Sequence, residues 1–216
     1  MSDIEEFLAE NVEKHLIRDL EVMVSDKQDL GFPVLMATIA GMELLGGLDA
    51  AGNEFAIHGK GDEYFRRYWN KYLYPAEHQH HSPALASQVF DSVRNGIAHG
   101  FYVLEGVEIH TSRDDRHLTT AEDGIFHIDA VSLAEAFVAS YRERFRDVAI
   151  GSDQHASAIR KRYRSLRTQL GIQPSKRQNA SSDAAASGDS QTVGLGAAAF
   201  DDSAVEHRPG SSSRFP

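Results

Sequence analysis

The chain has 216 residues, a formal net charge of −10 and no cysteine. That length suggests one domain of about 150–170 residues plus a tail, enough to bury a core without staples. The missing cysteines exclude disulfides and thiolate chemistry and fit a reducing, cytoplasmic setting. The acidic balance argues against unselective polyanion binding by the whole surface.

The N-terminal Met-Ser-Asp-Ile-Glu-Glu has neither a basic region nor an apolar run, so no secretory leader is expected. Ser2 followed by Glu5 is a capping-box pattern. Behind it Ile4, Leu8, Val12, Leu16 and Leu20 recur every fourth residue, which predicts a helix over 3–24. "FPVLMATIAGMELLGGL" follows, apolar on almost every side. Glu43 and the glycines favour a covered central helix over a membrane span. Pro33 suits its first turn. Gly41, Gly46 and Gly47 permit close backbone approach, and Gly46-Gly47 also reads as a helix end.

"DEYFRRYWNKYLY" predicts a short aromatic helix over 62–74, stopped by Pro75. Tyr64, Phe65, Tyr68, Trp69, Tyr72 and Tyr74 could stack bases, but at helical spacing they read better as core or dimer contact. "AEHQHHS" is a polar loop. Its His78, His80 and His81 lack the ordered, multi-element ligand set of a metal site, so no metal or cofactor is expected. Pro83 opens a helix over 83–99 that Gly100 closes. "VEIHT" and "IFHI" alternate like strands, with "SRDDR" and "AEDG" as turns, which predicts a small β-hairpin within 101–130. Helical spacing resumes through Val131, Leu133, Ala134, Phe137, Val138 and Phe145. Gly151 interrupts it, and Ile159, Tyr163, Leu166 and Leu170 suggest a last, basic helix. The remainder is rich in Ser, Ala, Gly and Asp and too poor in apolar surface to fold. The expected architecture is all-α: a helical domain over 1–171 with a small hairpin insertion, and a disordered tail over 172–216.

Charge is uneven along the chain. Residues 142–177 hold ten Lys/Arg against Glu143, Asp147 and Asp153. Arg160, Lys161, Arg162 and Arg164 in that strip are candidate RNA-phosphate contacts; a solvated helix face explains them equally well.

The stretch "DSVRNGIAHGF" ends the helix that begins at Pro83. At about 100° per residue, Ala86, Val89, Phe90, Val93 and Ile97 share one apolar face. Gln88, Asp91, Asn95 and His99 fall opposite, with Arg94 at the flank. Asn95 and His99 can touch, being four residues apart. Arg94 and His99 lie about 140° apart around the axis and straddle the polar stripe. One helix makes a poor pocket from them. Two copies across a two-fold axis would bring both pairs into one cleft. A solvated helix end is the simpler reading of the spacing alone.

Arg94-Asn95-Gly96-Ile97-Ala98-His99 resembles the R-x4-6-H motif of the HEPN superfamily, including the polar residue after the arginine. The order of elements around it is similar too: a glycine-rich apolar helix, an aromatic segment, the motif helix, a short hairpin and another helix. The resemblance covers residues 1–150. It implies an up-and-down helical bundle that forms a homodimer, with Arg and His of both protomers lining a cleft that cleaves RNA without metal. Arg94 then corresponds to the motif arginine, Asn95 to the polar residue and His99 to the histidine. The chemistry is coherent: histidine can take or give a proton near neutrality, and a guanidinium forks onto phosphate oxygens. Asp91 is placed to orient Arg94, and Glu43, an acid in an apolar helix, to support it. Such an enzyme would fit a toxin or defence effector, with an antitoxin protein as a possible partner and no membrane association. The alternatives are a non-catalytic HEPN-like dimerising or RNA-binding protein, and a helical interaction module carrying a chance motif.

Overall fold

A computed structural model describes residues 2–25, 30–56, 58–95 and 105–172. They are mostly helical: α1 (3–25), α2 (Gly31–Asp49), α3 (61–73), α4 (83–95), α5 (130–150) and α6 (Gln154–Gln169). Three short strands complete them: β1 (Val107–His110), β2 (Thr119–Thr120) and β3 (Phe126–Asp129). The expected tail, except Ile172, lies outside the described residues. So do His99, Ile97 and the helix end expected at Gly100.

The Ser2 capping box starts α1: Ser2 N donates to Glu5 Oε2 at 2.5 Å, and Glu5 N donates to Ser2 Oγ at 3.5 Å. Ile4, Leu8 and Val12 are buried as the four-residue repeat predicts. Burial then passes to Ile17 and Leu20, and Leu16 is only partly covered. The cause is local. Over Leu8–Ile17 the backbone makes i→i−5 hydrogen bonds, such as Arg18 N–H to the Glu13 carbonyl, and this wider turn delays the buried face by one residue.

Helix α2 is the centre of the fold. It packs against each of the other five helices and against β1. It is long and apolar enough to cross a membrane, yet most of it is covered by protein, with Val34, Leu35, Ile39, Met42, Leu45 and Leu48 buried. Gly46 and Gly47 do not end it; the helix runs on to Asp49. They are crossing points. A Cβ on Gly46 would run into the Tyr64 carbonyl oxygen of α3, and one on Gly47 would lie 2.5 Å from the Phe55 ring. Gly31 opens the helix, so Pro33 sits within its first turn.

The α3 aromatics are core: Tyr64, Phe65, Tyr68, Trp69 and Tyr72 are all buried, as is Tyr74 just beyond. This leaves Arg66, Arg67, Asn70 and Lys71 on the outward side. Ser82 caps α4 by accepting from Leu85 N, with Pro83 in the first turn. Asp129 and Asp153 cap α5 and α6 in the same way. In α6, Ile159, Tyr163 and Leu166 face inward, whereas Leu170 is exposed.

The predicted hairpin is corrected. "VEIH" and "FHID" pair in parallel, Val107 opposite Phe126 and His110 opposite Asp129. The tight antiparallel partner of β3 is the short β2, giving the order β1-β3-β2. Alternation identifies strands but carries no direction, and the segment between β1 and β3 is long enough to return the chain for a parallel pairing.

Candidate functional site

Helix α4 turns its faces as the spacing predicts. Ala86, Val89, Phe90 and Val93 are buried, and Gln88 and Asp91 are exposed. Arg94 does not stand fully in solvent. Its side chain is 36% exposed, and its Nε lies 3.6 Å from Oε1 of Glu43 on α2, an ion-pair distance longer than an ordinary hydrogen bond. The structure thus brings two of the sequence-derived residues together across two helices. Asp91 lies one turn earlier on the same helix. Asn95 ends α4, and His99 is beyond the described residues.

Glu43 itself is 21% exposed and has no cation beside it but Arg94 among the described residues. Burial pushes its carboxyl above the usual carboxylate range, and the nearby Arg94 charge only partly opposes this. Room for the carboxylate comes from Gly61, the first residue of α3. A Cβ there would lie 2.5 Å from Glu43 Oε2 and 3.5 Å from the Phe90 ring. Nothing in the local sequence around Gly61 announced this slot, because it depends on how α2, α3 and α4 meet.

The proposed basic strip divides in the folded chain. Arg162 is corrected: it is 2% exposed, and its guanidinium donates to the Ala50 carbonyl at 3.1 Å and to that of Ala51. It closes the C-terminal end of α2 and is not available to a phosphate. Positive charge suits that helix end. Arg160 Nη1 donates to the Gly151 carbonyl at 2.9 Å. Lys161 and Arg164 are exposed.

A second constellation, missed from sequence, surrounds Asp49 at the last turn of α2. Its side chain is fully buried. Oδ2 accepts from Arg67 Nε at 2.6 Å; Oδ1 accepts from Lys71 Nζ at 2.8 Å and Tyr72 OH at 2.7 Å, and lies 2.5 Å from His155 Nε2. Burial would raise the Asp49 carboxyl, but the Lys71 and Tyr72 hydrogen bonds and the Lys71 and Arg67 charges outweigh it, and the carboxyl is held low. The available signal was an acid at a helix C-terminus, where the dipole disfavours it.

The loop histidines serve packing. His78 stacks on Tyr74 with centroids 4.4 Å apart, and His80 meets Tyr74 and His117 edge-on. His81 Nδ1 lies 2.8 Å from the Tyr74 carbonyl oxygen. His117 Nδ1 accepts the Asp129 N–H at 3.1 Å, and burial pushes this imidazole down to about 4. On the sheet, His110 Nδ1 is 3.2 Å from Asp129 Oδ2. Among the described residues, no group of three or more His, Asp or Glu is arranged to hold a metal ion.

No family model, curated protein or solved structure matches the chain.

Proposed function

We propose that the chain is a HEPN-like, metal-independent endoribonuclease that works as a homodimer, with Arg94, Asn95 and His99 of two copies facing one another in a shared cleft. The observation that supports this reading most is the Arg94–Glu43 pair: a guanidinium near the end of α4 that is 36% exposed and stands 3.6 Å from a carboxylate of α2. A guanidinium exposed to this extent can turn its planar fork toward phosphate oxygens.

In the proposed reaction the ribose 2′-OH gives its proton to His99 of one copy as its oxygen attacks phosphorus. The P–O5′ bond breaks, and the leaving 5′-oxygen takes a proton from His99 of the other copy, leaving a cyclic phosphate and a 5′-hydroxyl. Arg94 stabilises charge on the non-bridging oxygens as it develops. The Asn95 amide holds the His99 ring or a phosphate oxygen. Asp91 and Glu43 act through Arg94 as positioning residues. An uncontrolled enzyme of this kind would damage its host, which gives a toxin or defence role with an antitoxin partner its rationale.

The Arg94–Glu43 ion pair also suits a second reading, a non-catalytic HEPN-like dimerising or RNA-binding protein, because a paired arginine can serve as a link between helices. Purified protein incubated with single-stranded RNA in EDTA separates the two. The first reading predicts cleavage that His99→Ala abolishes. RNA bound but left uncut by the wild-type chain would support the second.

A further inference from the structure

Three carboxylates of this region are assigned to cations in an uneven way. Lys60 Nζ holds Glu63 at 2.7 Å, and Arg66 Nη2 holds Asp62 at 2.5 Å. Arg67 and Lys71 then share Asp49 alone, with His155 against the same oxygen as Lys71. One positive charge is therefore in surplus before His155 is counted. Asp49 is buried, whereas the Arg67 and Lys71 side chains remain more than a third exposed, so the surplus is displayed outward.

It is displayed along a groove lined by Glu63, Arg66, Arg67, Asn70, Lys71 and Pro83. Two buried polar atoms on that lining have no hydrogen-bond partner: Arg66 Nε, a donor, and Asn70 Oδ1, an acceptor. The Asn70 amide is oriented by its Nδ2, which donates to the Arg66 carbonyl at 3.0 Å. Unpartnered buried polar atoms are costly, and a ligand that draws these two side chains outward and offers one acceptor and one donor would satisfy both. The needed ligand is thus anionic, carries acceptor oxygens and also has a hydroxyl donor nearby. A ribose-phosphate unit meets all three requirements, and the 2′-OH is the donor that DNA lacks.

We infer that the outward face of α3 is a docking groove for the backbone of single-stranded RNA, with Arg66, Arg67 and Lys71 on phosphate and Asn70 on the ribose hydroxyl. The inference rests on RNA as the ligand of the proposed function, but not on cleavage. The groove runs along α3, which starts at Gly61 beside Glu43, so the helix covers about 15 Å from the Arg94–Glu43 pair to Lys71. That places the RNA track on α3, whereas the charge pattern of the sequence pointed to α6.

The test is fluorescence anisotropy on the full His99→Ala chain, which removes cleavage, with RNA and DNA of one sequence and with inorganic phosphate as competitor. Arg66→Gln and Lys71→Gln are each expected to weaken RNA binding about tenfold, and Lys14→Gln, an exposed lysine on α1, to leave it unchanged. Asn70→Ala is expected to remove a preference of about fivefold for RNA over DNA. Arg66 pairs with Asp62 and not with Asp49, so its variant reports on the groove even if Lys71→Gln disturbs the fold. Undiminished RNA affinity in both charge variants would overturn the groove and leave the cleavage reading standing. Equal affinity for RNA and DNA together with displacement by low phosphate would overturn it in favour of a free-phosphate site. No RNA binding at all would overturn it as well, and cleavage by the wild type would then decide whether the proposed function survives.

Discussion

Helix α2 carries two acids that the fold treats in opposite ways. Asp49 is buried, surrounded by Arg67, Lys71, Tyr72 and His155, and held ionised. Glu43, six residues earlier, meets one guanidinium at 3.6 Å and is pushed toward its neutral form by burial. The first joins α2, α3 and α6. The second stands beside the partly exposed Arg94 guanidinium near the end of α4. The difference teaches where to look for stability and where for chemistry: a saturated, buried carboxylate fixes structure, while a carboxylate with few partners beside a partly exposed cation marks a place a substrate can reach.

Removing the tighter partner should have the larger effect. Asp49→Asn leaves Arg67 and Lys71 without their counter-charge and is expected to lower unfolding free energy by about 3 kcal/mol, measured by urea denaturation. The partners are a third exposed, so water recovers part of the loss. A change below about 1 kcal/mol would make the Asp49 constellation a surface ornament.

Glu43→Gln should do the reverse. Stability at neutral pH is expected to stay within about 1 kcal/mol, while RNA cleavage falls about tenfold through misorientation of Arg94. Comparable destabilisation by the two variants would erase the distinction between the acids.

Acid offers a third contrast, with opposite signs. The Asp49 carboxyl is low in the folded chain, so its contribution is present above the unfolded value and is lost as pH falls through the folded one. The Glu43 carboxyl is raised, so the folded chain takes up its proton first, and acidification through that range relieves a buried charge. Stability measured against pH should therefore steepen in acid when Glu43 is replaced by Gln, and flatten when Asp49 is replaced by Asn. The same sign of change in both would contradict the assignment.

The smallest effect is expected from Gly61→Ala. The new methyl group crowds only the far end of the Glu43 side chain and makes an ordinary contact with the Phe90 ring, so the fold should tolerate it, with a melting temperature changed by about 2 °C or less. The carboxylate must move, and cleavage should drop by a few-fold. Full activity would show that Glu43 does not position Arg94.

Much of the fold was legible because it is local. Four-residue apolar spacing located α1, the nearly all-apolar composition of α2 made it central, and Ser2 and Pro83 marked helix starts. What escaped depends on residues far apart in sequence. The parallel pairing of β1 with β3 carries no periodic signature, and the i→i−5 turns of α1 shifted burial from Leu16 to Ile17. The Asp49 constellation collects residues 49, 67, 71, 72 and 155 from three helices. At the candidate site, the spacing identified Arg94 and Glu43 as polar exceptions, but the slot at Gly61 exists only where three helices meet. Arg162 is the instructive failure: its neighbours made it look like one member of a basic face, yet helix phase turned it inward onto the end of α2.

The most direct test of the account is Arg94→Ala, assayed for single-stranded RNA cleavage in EDTA and for urea unfolding in parallel. The account predicts that cleavage falls by about a hundredfold or more while the unfolding midpoint stays close to that of the wild-type chain. Retained cleavage, or a loss of stability as large as that of Asp49→Asn, would contradict it.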